Sequence, residues 1–343
     1  MPADGAIPSA VVYGCAGPRL TADERALFAD ANPLGFILFA RNCVEPAQIR
    51  DLTAELRASV KRPDAPVLID QEGGRIQRLN PPHWRAAPSA QALGALARTD
   101  RAAAREAVRL NARMLAHELL AVGIDVDCAP VLDVPVPGAH GIIGDRAYAT
   151  DPELVGDLGR AACEGFLDGG VAPVIKHIPG HGRARADSHL ELPVVETALD
   201  LLDETDFVPF VANADAAYGM TAHVVYTAVD PELPATLSEL VIESVIRERI
   251  GFTGFLFSDD VGMKALSGPL ADRARAALGA GCDAVLHCSG DLAEMRTIAA
   301  AMPPLSAAAR QRFAAVRAKM RRPAAFDLAA ADERLSALLA RAA

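Results

Sequence analysis

The sequence predicts a single α/β domain, a (β/α)8 barrel of the TIM type, and three observations carry that expectation. Short apolar runs alternate with longer amphipathic ones along the chain, the pattern of repeated βα units around a parallel sheet buried on both faces. Eight such short runs can be counted. Nearly every one is followed at once by polar or charged residues, as expected where the C-terminal ends of many strands share one mouth, and this favours a barrel over a doubly wound sheet.

In chain order the expected strands are Ala10 to Tyr13, Gly35 to Phe39, Pro66 to Ile69, Ile124 to Ala129, Ala172 to Ile175, Tyr218 to Ala222, Gly254 to Phe257 and Ala284 to His287. Each is a short apolar run bounded by turn-forming or charged residues, too short for a helix of ordinary length. Helical patterns fall between them, at Thr21 to Ala29, Pro46 to Ser59, Arg101 to Ala121, Pro152 to Asp168, Ser238 to Arg249 and Leu270 to Leu278. Thr21 with Glu24 has the spacing of a capping box, and Ser238 stands at a second helix start. Gly123, Gly251 and Gly281 stand where helices end. Leu292 to Ala301 and Leu305 to Ala343 read as closing helices, so the expected domain is 1–343 with a helical close over about 291–343.

Composition narrows the function. The 343 residues carry a formal charge of −10, and the Lys and Arg residues are scattered without a basic stripe or aromatic platform, which argues against a nucleic-acid partner. Six cysteines (Cys15, Cys43, Cys128, Cys163, Cys282 and Cys288) form no CxxC pair, and several lie in apolar segments, consistent with a reducing cytoplasm. The N-terminus has no basic region before an apolar stretch, and no later run reaches the ~18 apolar residues of a membrane span. A cytoplasmic monomer that does not engage membranes, acting on a small-molecule substrate, is the expectation.

The densest chemistry lies between Lys176 and His189. Lys176-His177-Ile178-Pro179-Gly180-His181-Gly182, followed by Asp187-Ser188-His189, sets three histidines, a lysine and an aspartate directly after an apolar run. Pro179 and the two glycines exclude helix, so these side chains are expected on an irregular loop leaving a strand. His181 is read as shaping that loop. Asp187 and His189, two apart, would lie on one side of an extended segment, where a carboxylate can hold an imidazole's tautomer for acid/base work. A second cluster, Asp70-Gln71-Glu72-Gly73-Gly74-Arg75-Ile76-Gln77-Arg78, follows another strand. Its carboxylate and arginine suit sugar hydroxyls, or an internal Asp/Arg ion pair that orders the site. The third cluster is Ser258-Asp259-Asp260. Side chains alternate along a strand, so only one of the two aspartates should face the mouth; Asp259 is the candidate nucleophile, and Asp260 is expected to brace the turn.

The strings DQEGGRIQRL, IIGDRAY, KHIPGHG, DSH, AHVVY and FSDDVGM, in that order within a match from about Tyr13 to Cys288, resemble the glycoside hydrolase family 3 β-N-acetylglucosaminidases of bacterial cell-wall recycling. The resemblance implies a single-domain barrel and a retaining double displacement; with no recognised ligand spacing, no metal or cofactor is expected. In it Asp259 is the nucleophile, His189 the acid/base and Asp187 its partner, and Asp70, Arg78, Arg146, Lys176 and His177 bind the sugar. It further implies that the loop carrying Asp187 and His189 is mobile, and that the substrates are muropeptides containing N-acetylglucosamine. Ile178 stands where these enzymes usually have Phe, and Val261-Gly262 replaces the commoner Leu-Ser. The larger members of the family carry a further C-terminal α/β domain, for which this chain has no room.

Three rival readings fit the same residues. A metal-dependent barrel hydrolase would use His177, His181, Asp187 and His189 as ligands, but the spacing matches no zinc motif and Lys176 would oppose a cation. A phosphorylase of the same family is a second, since a histidine acid/base adds no fixed negative charge against phosphate. A sugar-binding barrel without catalysis is a third. The presence of both Asp259 and the Asp187/His189 pair argues against it.

Overall fold

The structure is a computed structural model that describes residues 6–320 and 322–341. Eight parallel strands close a barrel in chain order: β1 (Ser9–Tyr13), β2 (Pro33–Leu38), β3 (Val67–Ile69), β4 (Val126–Asp127), β5 (Ala172–Ile178), β6 (Tyr218–Thr221), β7 (Phe255–Asp260) and β8 (Ala284–His287), with β8 pairing back onto β1. The predicted (β/α)8 barrel is therefore the observed fold. Helices Pro46–Ser59 and Pro152–Asp168 have the bounds that their patterns predict. Thr21 caps helix Ala22–Ala31 in a full capping box with Glu24, because the hydroxyl accepts the Glu24 N–H while the Glu24 carboxylate accepts the Thr21 N–H.

Several elements depart from expectation. β5 and β7 run on through Ile178 and Asp260, past the points where apolar character stops. Pairing holds them: Lys176 is in register with Met220 of β6, and its carbonyl accepts the Leu132 N–H at 2.7 Å. Lys176 and His177 thus belong to a strand, not to the irregular loop predicted for them. β4 is shorter than predicted. Helix Val241–Arg249 starts three residues after Ser238, whose hydroxyl accepts the Val241 N–H. The C-terminal run divides into Ala307–Lys319 and Leu328–Leu339 around Pro323, which cannot continue a helix. Unforeseen were the helix Ala90–Ala95 and a small sheet of Val194–Val195, Val225–Tyr226 and Asp230–Pro234.

The barrel interior is filled by side chains such as Val12, Ile37, Leu68, Val174, Phe255 and Phe257, and the same cluster continues into Phe313 and Val316 of helix Ala307–Lys319. Phe313 stacks edge-on to Phe255, the first residue of β7, with ring centroids 5.9 Å apart. Backbone bonds tie the segment before that helix to the start of β1, through Ala10 N–H to Pro303 and Leu305 N–H to Pro8. The N-terminal end of the barrel is consequently plugged. Burial of one such aromatic side chain contributes about 1.5–3 kcal/mol. The opposite, C-terminal end carries the polar clusters around a cavity.

Candidate active site

A cavity of about 250 Å³ occupies the C-terminal end, lined among others by Asp70, Glu72, Arg78, Arg146, Lys176, His177, His181, His189, Asp259 and Asp260. Every residue expected to act on substrate lines this one cavity except Asp187, which stands behind His189. The floor is a chain of alternating charges. Arg78 Nη2 lies 3.2 Å from Asp70 Oδ2, Lys176 Nζ lies 2.8 Å from both Asp70 Oδ1 and Glu72 Oε1, and Arg146 grips Glu72 through two bonds of 2.8 Å. The Asp70/Arg78 ion pair considered in the sequence is present, as one link of a longer network.

Burial alone would push these carboxyls up, but Lys176 and Arg78 together outweigh it at Asp70, and Lys176 and Arg146 together outweigh it at Glu72. Asp70 is held well below the usual carboxylate range and Glu72 is brought down to about 2. Lys176 and Arg146 are in turn held charged against the cost of burial, mainly by Asp70 and Glu72 for the lysine and by Glu72 for the arginine. The network presents fixed donors to hydroxyl groups and has three cations for two carboxylates. Glu72 lay inside a motif noted in the sequence, yet nothing there marked it as the partner of Arg146, 74 residues away.

Removing Lys176 should test this arrangement. Lys176→Met leaves two buried carboxylates without their shared cation, and breaking such a network costs about 3–5 kcal/mol, to be read from urea unfolding at neutral pH. The folded value for Glu72 is depressed, so its contribution is present above the ordinary 4.5 and is lost as pH falls towards about 2. The difference between variant and wild type should shrink across that window.

His177 is aimed by Asp133, a fully buried carboxylate beyond β4. Asp133 Oδ2 accepts from His177 Nδ1 at 2.7 Å, while Oδ1 accepts the backbone N–H groups of His177 (3.2 Å) and His181 (2.6 Å). Burial opposes the charge, but the two rings and these bonds hold Asp133 down at about 2. With Nδ1 engaged, His177 Nε2 is the ring atom left for a ligand. Nothing in the sequence marks Asp133 as the partner of His177, 44 residues away. Gly182 packs against this segment so closely that an added Cβ would meet Val134 O at 2.0 Å, and Tyr226 of the small sheet donates to Gly180 O. His181 Nε2 lies 3.2 Å from Ser188 Oγ, and burial pushes the ring down to about 4, so it is neutral and shapes the loop.

At the end of β7, both Asp259 and Asp260 line the cavity, which corrects the expectation that only one would. The reason is a register shift against β8 between Phe257 and Asp260, where strict alternation is lost. Asp259 Oδ1 accepts the Asp260 N–H at 2.8 Å. Burial acts to raise the Asp259 carboxyl, but His223, His177 and Lys176 together hold it below the ordinary value, so it is a carboxylate. Asp260 braces the turn as predicted, accepting the Gly262 N–H at 2.9 Å. His223 is fully buried against Thr236 and the Asp260 carbonyl and is not among the lining residues.

His189 Nδ1 stands 2.8 Å from Asp187 Oδ1, so the two predicted partners do meet. They do so in a turn, not an extended segment. Asp187 Oδ1 also accepts the His189 N–H at 2.9 Å, and its carbonyl accepts from Leu190 and Glu191. Burial is outweighed at Asp187 by these bonds to His189, which leave its carboxyl below the ordinary value. The His189 ring is 61% exposed at the cavity rim with Nε2 free. Among the described residues no cluster of three or more His, Cys, Asp or Glu is arranged to hold a metal ion.

Residues 9–322 match the glycosyl hydrolase family 3 N terminal domain. A beta-hexosaminidase of Alkalilimnicola ehrlichii is 45% identical over 283 residues, which cover 81% of this chain and 80% of that protein. The structure of NagZ from Neisseria gonorrhoeae in complex with N-trifluoroacetyl-D-glucosamine matches with a TM-score of 0.86 and 33% identity over 99% of both chains. The same protein in complex with zinc ion matches with a TM-score of 0.85 and 34% identity, over 98% of this chain and 99% of that one.

Proposed function

The chain belongs to glycosyl hydrolase family 3 and is a glycoside hydrolase, and from that premise we propose a retaining exo-β-N-acetylglucosaminidase that removes terminal N-acetylglucosamine from muropeptide-type substrates. Its similarity to beta-hexosaminidases and to a NagZ bound to a glucosamine derivative supports the sugar. The observation that carries the mechanism is that Asp259, held as a carboxylate, and His189, backed by Asp187, line one cavity with the charged floor. At about 250 Å³ that cavity is smaller than the roughly 300–1,000 Å³ of drug-sized sites, which suits one terminal sugar. All six cysteines are free, in keeping with a reducing cytoplasm.

Asp259 attacks the anomeric carbon as the glycosidic oxygen departs with a proton from His189 Nε2, leaving a glycosyl ester on Asp259. His189 then takes a proton from water, which attacks the same carbon and releases Asp259 as a carboxylate. Asp187 accepts from Nδ1 and stabilises the imidazolium. Asp70, Arg78, Arg146, Lys176 and His177 hold the hydroxyls of the sugar. Positive charge that spreads over the flattening ring lies against Asp259, so the attraction grows towards the transition state.

Turnover of an aryl β-N-acetylglucosaminide, with products analysed in the presence and absence of phosphate, tests this reading. Free N-acetylglucosamine is expected in both; a sugar phosphate would favour phosphorolysis. Because a related NagZ has been seen with zinc ion, the assay is repeated after exhaustive chelation. Unchanged turnover is expected, and activity lost and then restored by zinc would overturn the metal-free mechanism.

A further inference from the structure

The mechanism above uses one of the two carboxyl groups at the end of β7. Asp260, the other, is fixed from three parts of the barrel. Its carbonyl accepts from His223 Nε2 at 2.9 Å, and its Oδ1 accepts the N–H groups of Gly262 at 2.9 Å and of Cys288, just past β8, at 3.2 Å. Its own N–H is the donor to Asp259 Oδ1. Anything that displaces or recharges Asp260 therefore acts on the nucleophile.

His287, the last residue of β8, is fully buried beside it. His287 Nε2 lies 3.0 Å from Ser289 Oγ, and Ser289 Oγ donates to Glu294 Oε2 at 2.7 Å. A hydroxyl that gives its proton to Glu294 can only accept from the ring, so Nε2 carries the N–H. Nδ1 is then left without a hydrogen-bond partner and faces Asp260 Oδ1 at 4.0 Å. In a neutral ring this sets a nitrogen lone pair against a carboxylate in a poorly solvated place, an arrangement that one additional proton relieves.

We propose that Asp260 and His287 together hold one proton, making Asp260 a positioning residue that keeps a second negative charge from standing beside Asp259. The inference rests on the reading of Asp259 as nucleophile. Asp259, the Cys288 thiol and the His223 ring face the pair on the Asp260 side, and Glu294, Asp291 and Arg41 face it on the His287 side. Burial pushes the Asp260 carboxyl up and the His287 ring down, which brings their affinities for a proton closer together. Ser289 and the half-exposed Glu294 provide its route to solvent.

The test is the pH profile of kcat/KM on an aryl β-N-acetylglucosaminide, whose acidic limb reports ionisation of the nucleophile in the free enzyme. A nearby opposite or like charge moves such a value by about one unit or more. His287→Gln removes the site of the positive charge, so the acidic limb should rise by about one unit. Asp260→Asn keeps both backbone bonds but no charge, and its limb should stay in place or fall. The double variant should follow Asp260→Asn, since without the second carboxyl the histidine has nothing to neutralise. Loss of rate at every pH with the limb unmoved in His287→Gln would reduce the pair to packing and overturn the proposal. A rise that persists in the double variant would overturn it too. Asp259→Asn is the control: if it retains activity, the nucleophile assignment itself has failed, whatever the other profiles show.

Discussion

Asp259→Asn should lower kcat by roughly 10⁴–10⁶-fold, the scale on which removal of a covalent nucleophile acts, while the protein stays folded. Asn is isosteric and its amide oxygen still accepts the Asp260 N–H that reaches Asp259 Oδ1 at 2.8 Å, so the end of β7 should keep its shape. A thermal melt close to that of wild type is the accompanying expectation. A 2-fluoro sugar with a good leaving group should trap the glycosyl ester, and peptide mass analysis should find it on Asp259. The competing carboxylates are poorly placed for this role. Glu72 is committed to Lys176 and Arg146, and Asp260 accepts two backbone N–H groups. Label on either would overturn the assignment.

The second large effect separates the acid function of His189 from damage to the site. Proton donation matters when the leaving group is another sugar and matters little for a nitrophenolate, and general acid catalysis is worth about 10²–10⁴-fold. His189→Ala should therefore cost that much on a disaccharide and far less in forming the covalent intermediate from an activated aryl glycoside. Asp187→Ala should show the same selectivity more weakly, because it removes the acceptor at Nδ1 and leaves the ring in place. Equal losses on both substrates, measured on the glycosylation step by pre-steady-state kinetics, would exclude this dyad as the acid. The ring's exposure at the rim supports this role.

The barrel was legible because periodicity reports burial. Ala284–His287, Pro46–Ser59 and Pro152–Asp168 are local patterns, and local patterns determine local structure. Where the chain carries polar side chains while remaining in the sheet, as at Lys176, His177, Asp259 and Asp260, hydropathy stops too early. Backbone pairing continues there because its hydrogen bonds are indifferent to which side chain they carry. The same blindness produced the expectation that one aspartate of the Asp259-Asp260 pair would face away.

By itself the sequence determined the eightfold strand and helix order, the placing of ionisable groups at strand ends, and the short-range partners Thr21 with Glu24 and Asp187 with His189. These are properties of spacing along the chain. Tertiary structure alone decided that Lys176 bridges Asp70 and Glu72 across 106 and 104 residues, that Asp133 aims His177 from 44 residues away, and that His287 faces Asp260. Barrel closure fixes which strand ends are neighbours and in what register. A buried charge takes whichever partner that register brings within reach, because leaving it unpaired in a poorly solvated interior costs several kcal/mol.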